Sequence, residues 1–97
     1  MIIVHEKFVC KPGQASKLAK LFKEAMEGDK DLVNIMTDLT GQYNRVVMVS
    51  QYKDLEAFAK AFEKYKHPTP KMQESMKKMQ GYTDMYLTGC REIFQVW

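Results

Sequence analysis

Four stretches of the chain are rich in strand-forming apolar residues. The first of them alternates apolar and polar positions, and a period of two is typical of β-strands with one buried face. In the first stretch, the even positions from Ile2 to Cys10 carry most of the apolar content. The two middle stretches flank a Thr40-Gly41-Gln42 break, and β-branched runs around a glycine-containing turn predict an antiparallel hairpin. The predicted strands are Ile2–Cys10, the two arms of Leu32–Tyr52, and about Met85 to Trp97.

Between the strands, apolar residues recur every three to four positions, which predicts amphipathic helices. The first helix follows Pro12-Gly13 and ends near Gly28. The second begins at Asp54, whose carboxylate suits an N-cap. The His67-Pro68-Thr69-Pro70 segment interrupts it, because proline is not accommodated inside a helix. A third helix begins in that segment, with the threonine as N-cap and the second proline as its first residue.

This order of elements is β-α-β twice, with the hairpin in the middle. Right-handed crossovers leave a gap between the first two strands, and the third strand fills it. The predicted fold is therefore a ferredoxin-like α+β domain covering residues 1–97, with an antiparallel sheet of order 4-1-3-2 and helices on one face. The run Arg45–Val49 is apolar on both faces, so we expect a second copy to cover the open face of the sheet and form a homodimer.

Composition narrows the classes of function. The chain has 97 residues, 45% of them hydrophobic, and a net charge of +3 spread over helices that also carry Glu and Asp. It holds no apolar run long enough to span a membrane and no basic, signal-like N-terminus, so we expect a cytoplasmic protein with Cys10 and Cys90 as free thiols. The third strand lacks the aromatic residues that an RNA recognition motif uses to stack bases, which argues against nucleic-acid binding.

Three motifs resemble the dimeric α/β-barrel superfamily, which includes antibiotic-biosynthesis monooxygenase domains. Val9-Cys10-Lys11-Pro12-Gly13 followed by a helix resembles its opening. Ser50–Phe58 contains the aromatic residue, the short turn and the helix with Ala-Phe that are common in the family. Thr69-Pro70-Lys71-Met72 resembles the start of its next helical piece. The resemblance spans the chain and implies a homodimer with facing sheets and a pocket between each sheet and its own helices.

The resemblance also bears on cofactors. The haem-degrading branch of that family uses an Asn, a Trp and a His at positions that correspond here to Glu6, Ala61 and about Met76. None of the three residues fits, which argues against a haem oxygenase. We predict no cofactor and no metal site. Oxygenation without a cofactor is compatible with the resemblance, because the substrate then activates oxygen itself.

Two carboxylates are candidate catalytic groups. If Cys10 faces Cys90 across the first and last strands, Glu6 and Glu92 lie on the apolar, helix-facing side. Apolar surroundings would raise the pKa of a carboxyl group and suit it to act as a general base. The alternative is that each glutamate pairs with Lys, Arg or a backbone donor. The same register places His5 on the subunit-facing side, beside Lys7, Arg91 and Gln95.

A pocket between helices and sheet would be bordered by flexible methionines and by tyrosines whose hydroxyls suit a polar ligand. The alternative is that these side chains are ordinary core packing. For His67, next to Pro68, we weigh a role as a gate at the pocket mouth against that of a solvated loop residue, and we expect the latter. The predicted pocket residues are Phe8, Tyr65, Met72, Met76, Tyr82, Tyr86 and Phe94.

The sequence therefore predicts a small-molecule-binding homodimer, with a monooxygenase-like enzyme acting on a small apolar or aromatic substrate as the leading function. The alternative is a non-catalytic ligand-binding or structural dimer. Amino-acid-sensing regulatory domains share the predicted topology but are normally fused to an enzyme.

Overall fold

The computed structural model describes all residues from Met1 to Trp97 and contains the predicted strands and helices. The hairpin loop covers residues 38–44 and is longer than the predicted break. A short 3-10 turn that was not predicted from the sequence precedes the last strand. None of the helices has the length and apolar content needed to cross a membrane. The elements are β1 Ile2–Cys10, α1 Ala15–Ala25, β2 Leu32–Thr37, β3 Arg45–Tyr52, α2 Leu55–Lys66, α3 Pro70–Lys78, the 3-10 turn Tyr82–Asp84 and β4 Tyr86–Gln95.

The four strands form one antiparallel sheet of order β2-β3-β1-β4, which confirms the predicted order and the ferredoxin-like α+β fold. Contacts of Phe22 on α1 with Phe8, and of Phe58 on α2 with Tyr52, place both helices on the same face of the sheet. The molecule is only 20 Å thick in its smallest dimension, as expected for one layer of helices on one sheet. The opposite face of the sheet is open within a single chain.

Local signals at the helix starts are confirmed. The Asp54 carboxylate accepts a hydrogen bond of 2.9 Å from the backbone N–H of Ala57, and the Thr69 hydroxyl accepts one of 3.3 Å from Met72. Pro70 is the first residue of α3, where its missing N–H has no intrahelical partner to lose. These caps fix where α2 and α3 begin.

The core lies under α1. Leu18 and Phe22 of this helix are fully buried against Cys10 of β1 and Val46 of β3. Only eight of the 97 residues are buried in all, so a single chain has a small core for its length. Cys10 and Cys90 are both free and lie on opposite faces of the sheet.

The hairpin loop is held by one ion pair. The Asp38 carboxylate accepts hydrogen bonds from the backbone N–H of Arg45, at 3.0 Å, and from its Nε, at 3.2 Å. These bonds, the backbone one first, hold the pKa of Asp38 below its usual value. Gly41 and Asn44 adopt positive φ angles of 99° and 65°, a conformation that favours glycine and tolerates asparagine.

The predicted register of β4 is wrong. Glu6 faces Arg91 and Phe8 faces Gly89, whereas the prediction placed Glu92 opposite Phe8. The offset is an odd number of residues, which exchanges the two faces of the strand. Arg91 therefore points towards the helices. Glu92 lies on the open face, together with Phe94 two residues further along the strand.

Two features explain the shifted register. The 3-10 turn takes up residues before β4, and a β-bulge between Val9 and Cys10 moves the pairing. In this register only glycine is accommodated at position 89, because a Cβ there would lie 2.7 Å from the carbonyl oxygen of Lys7. The Phe8 ring lies 3.6 Å from the same position. The strands therefore approach closely at this glycine.

Candidate functional site

The helix-facing side of β1 and β4 is only partly covered by α2 and α3. Neither helix contributes a buried residue. Phe62 of α2 and Ile93 of β4 are each 40% exposed, although both are large and apolar. We refer to the region formed by Glu6, Phe58, Phe62, Arg91 and Ile93 as the helix–sheet cleft.

An ion pair forms the polar part of this cleft. Arg91 Nε donates a hydrogen bond to Glu6 Oε1 across the β1–β4 pairing. The guanidinium carbon lies 4.4 Å from the ring centroid of Phe62 and 5.4 Å from that of Phe58, within cation–π range. Glu6 is thus on the helix-facing side, as predicted, but it has a cationic partner. This is the alternative considered from the sequence, pairing with a basic residue.

Glu92 lies on the open face, outside the cleft, where it forms an ion pair with Lys7. The hydrogen bond from the Lys7 ammonium, with its charge, lowers the pKa of Glu92. The predicted rise in its pKa is therefore wrong, and so is its predicted place beside the helices. The cause is the shifted register of β4.

The structure confirms the predicted face of His5 but not those of its predicted neighbours on β4. His5 lies on that face as predicted, with its ring edge-on to Phe94 at a centroid distance of 5.2 Å. Arg91 and Gln95, its predicted neighbours, lie on the other face. Phe94 was predicted to line the pocket beside the helices, and the register places it with His5 instead. His67 is exposed just after α2.

Three predicted pocket residues come together as a packed aromatic cluster. The Phe8 ring contacts Tyr86 and the buried Phe22, each at a centroid distance of 5.1 Å. Tyr82 stacks on Tyr86 at 5.9 Å and lies 6.0 Å from Phe22. In a single chain these residues pack against the α1 core, as in the core-packing alternative.

A second aromatic row runs along α2, and Tyr65 ends it. Tyr52, Phe58, Phe62 and Tyr65 contact one another in sequence, with centroid distances of 5.3, 4.9 and 6.1 Å. Burial, helped by the nearby carboxylates of Asp31 and Asp29, raises the pKa of Tyr52 to about 12. Burial also raises the pKa of Tyr65. Phe58 and Phe62 of this row form the apolar wall of the cleft, against which the Arg91 guanidinium lies.

The two predicted methionines lie on α3. Met72 is half-buried and Met76 is exposed. Met76 and Tyr82 line a shallow depression of about 500 Å³ at the end of α3. Another, of about 300 Å³, lies between the start of α1 and the hairpin loop. Neither depression includes Glu6 or Arg91, so the structure divides the predicted pocket residues between several places.

Arg91 and the α2 aromatics Phe58 and Phe62 are not among the site residues predicted from the sequence. Phe58 and Phe62 lie four residues apart in the sequence, which puts them on one face of α2. Arg91 was assigned to the open face by the wrong register. A basic residue within an apolar strand, opposite a glutamate, was the signal that could have found it.

No family model matches the chain, and no curated protein matches it in sequence. Solved structures do match. An uncharacterized NIPSNAP domain protein from Burkholderia xenovorans gives a TM-score of 0.79 at 15% identity, covering 100% of this chain and 95% of that chain. A NIPSNAP-like domain protein from the same organism gives 0.73 at 21% identity, covering 99% and 85%. An antibiotic biosynthesis monooxygenase gives 0.61 at 12% identity, covering 100% and 99%.

At these identities the likeness shows the fold. The structural neighbours include antibiotic-biosynthesis-monooxygenase-like proteins and NIPSNAP proteins with the same ferredoxin-like arrangement, which confirms the fold implied by the resemblance noted in the sequence. A shared fold does not assign site residues, which depend on the side chains of this chain.

Proposed function

We propose that this protein is a homodimer that binds one small apolar or aromatic molecule in the helix–sheet cleft of each subunit. The observation that carries the proposal is the incomplete cover of β1 and β4. Large apolar side chains such as Phe62 and Ile93 stay exposed beside a fixed ion pair. Apolar walls with a few placed polar groups are typical of ligand sites.

The open face of the sheet supports the dimer. It carries Ile3, Val47 and Phe94 as large apolar residues, and Phe94 is 46% exposed. The charges of Lys7 and Glu92 on this face are paired with each other, so covering them leaves no lone ion. A second copy of the same face would bury these residues and leave both clefts on the outside of the dimer. We place this dimer in the cytoplasm, where the free thiols of Cys10 and Cys90 would stay reduced.

Catalysis is the second candidate function, and the antibiotic biosynthesis monooxygenase among the structural neighbours favours it. In this version a bound phenol loses a proton to Glu6, and O2 then oxidises the anion to a quinone without a cofactor. One oxygen atom forms the new ring carbonyl, the other leaves as water, and the substrate supplies all four electrons. The Arg91 guanidinium beside Glu6 would stabilise the resulting anion. In the alternative, the pair only orients a ligand and no turnover occurs.

Methionine methyl NMR tests ligand binding. Met48 of β3 lies directly opposite Glu6, whereas Met36 of β2 lies on the open face. We expect quinones or polycyclic phenols to shift the Met48 methyl signal and to leave Met36 unchanged. The variant Phe62→Ala should weaken binding several-fold, and Tyr43→Ala, which removes an exposed loop aromatic, should not. If no compound moves Met48, or if the loop variant has the same effect, the proposed cleft is wrong.

Oxygen consumption separates the two functions. A bound phenol that consumes oxygen, with a rate lowered at least about tenfold by Glu6→Gln, would support the enzyme. Binding without consumption would support the non-catalytic dimer.

A further inference from the structure

The guanidinium of Arg91 is held in place from two sides. Glu6 accepts a hydrogen bond from its Nε, and the rings of Phe58 and Phe62 lie against it. A long side chain normally loses rotamer freedom when it binds a ligand. Here the protein itself has already restricted that freedom. Arg91 is therefore preorganised within the cleft.

Most of its hydrogen-bonding capacity is unused. A guanidinium has five N–H donors, and the bond from Nε to Glu6 is the one side-chain hydrogen bond that Arg91 makes in the structure. The two terminal nitrogens keep four N–H groups for other acceptors. The Arg91 side chain is 41% exposed, against 19% for Glu6. The accessible member of the pair is thus the cation.

The geometry of these groups matches one kind of acceptor. The fork of an arginine forms two parallel hydrogen bonds with a carboxylate, and such charge-assisted bonds are about twice as strong as neutral ones. The adjacent rings of Phe58 and Phe62 offer apolar surface to the rest of the same molecule. Donors beside an aromatic wall are complementary to an apolar body that carries an anionic oxygen.

We propose that the helix–sheet cleft selects aromatic or apolar molecules bearing an anionic oxygen, such as a carboxylate or an enolate, and that Arg91 binds this oxygen. The inference rests on the proposed ligand-binding role of the cleft and adds the chemical class of its ligand. Glu6 is then a positioning residue that orients the guanidinium for ligand binding.

The test compares acids with their own amides, which match them in shape but lack the charge. The pairs are benzoate with benzamide, 1-naphthoate with 1-naphthamide, and indole-3-acetate with its amide, titrated against the full chain by methyl NMR at Met48. We expect the carboxylate of at least one pair to bind about tenfold or more tightly than its amide.

Two double variants assign this preference to Arg91. Glu6→Gln with Arg91→Met removes the cleft pair without leaving a lone charge, and it should abolish the preference while keeping binding of the amide. Glu56→Gln with Lys60→Met removes a matched pair on the solvent side of α2 and should leave the preference unchanged.

The other outcomes are distinct. Equal binding of acid and amide in every pair would overturn the inference and leave the cleft as a ligand site. A carboxylate preference that survives loss of Arg91 would overturn it as well, because the anion would then bind elsewhere. Failure of all six compounds to move Met48 would overturn the inference, whereas the proposed function is overturned only if the quinones and phenols also leave Met48 unmoved.

Discussion

The two faces of the sheet differ most clearly where β1 and β4 pair. Each face carries one ion pair between neighbouring positions of the same strands: Glu6 with Arg91 towards the helices, and Lys7 with Glu92 on the open side. The rings of Phe58 and Phe62 lie against Arg91 of the first pair, and nothing within the chain covers the second. The same local chemistry thus serves a cleft on one face and, we propose, a subunit interface on the other. The two pairs differ in their surroundings and not in their chemistry, so we infer their different roles from what lies over each of them.

The largest expected effect comes from the core on the helix-facing side. Phe22 is buried and contacts Phe8 and Tyr82, so Phe22→Ala should lower the free energy of unfolding by about 3–5 kcal/mol. Urea unfolding monitored by circular dichroism measures this free energy. The measurement is repeated at several protein concentrations, because the stability of a dimer depends on concentration. A loss below about 1 kcal/mol would show that α1 is not the main source of stability.

The close approach of β1 and β4 gives the second effect. Gly89→Ala places a Cβ against the backbone carbonyl of Lys7, so the strands must move apart, at a cost of about 1–3 kcal/mol. Both ion pairs depend on this pairing. The control is Thr88→Ala, at the neighbouring exposed position. Equal stabilities of the two variants would contradict the register described for β4.

Much of the fold was accessible from the sequence because its signals are local. The caps at Asp54 and Thr69 and the proline break at residues 67–70 act over three or four residues. Strand order followed from the handedness of crossovers. The register of β4 is a non-local property, and Ile93 and Phe94 are both apolar, so either face of the strand could be assigned to the core. That single ambiguity placed Glu92 in the candidate site and left Arg91 out.

The cleft should contribute less to stability than the α1 core. Phe62 is 40% exposed, so Phe62→Ala should cost only about 1 kcal/mol in the free energy of unfolding, measured as for Phe22→Ala. Its effect on ligand binding should be the larger one. A loss as great as that of Phe22→Ala would mean that the cleft is packed core.

Acid should act on the open-face pair. The pKa of Glu92 is lowered in the folded protein from an ordinary value of 4.5, so its stabilising effect is complete above that value. The effect is lost as the pH falls through the lower, folded-state pKa. The free energy of unfolding, measured at several pH values between 7 and 3, should therefore fall less steeply with decreasing pH for Glu92→Gln than for the unchanged protein. Identical slopes would show that the Lys7–Glu92 pair does not form.

Sedimentation equilibrium tests the central claim, that the open face of the sheet joins two copies. A chain of 11.3 kDa should sediment at twice that mass. Phe94→Lys, on the open face, should halve the mass without unfolding the chain, whereas Leu39→Lys, at a loop position that is 98% exposed, should leave it unchanged. A stable species of 11.3 kDa for the unchanged protein, or a dimer unaffected by Phe94→Lys, would contradict the account.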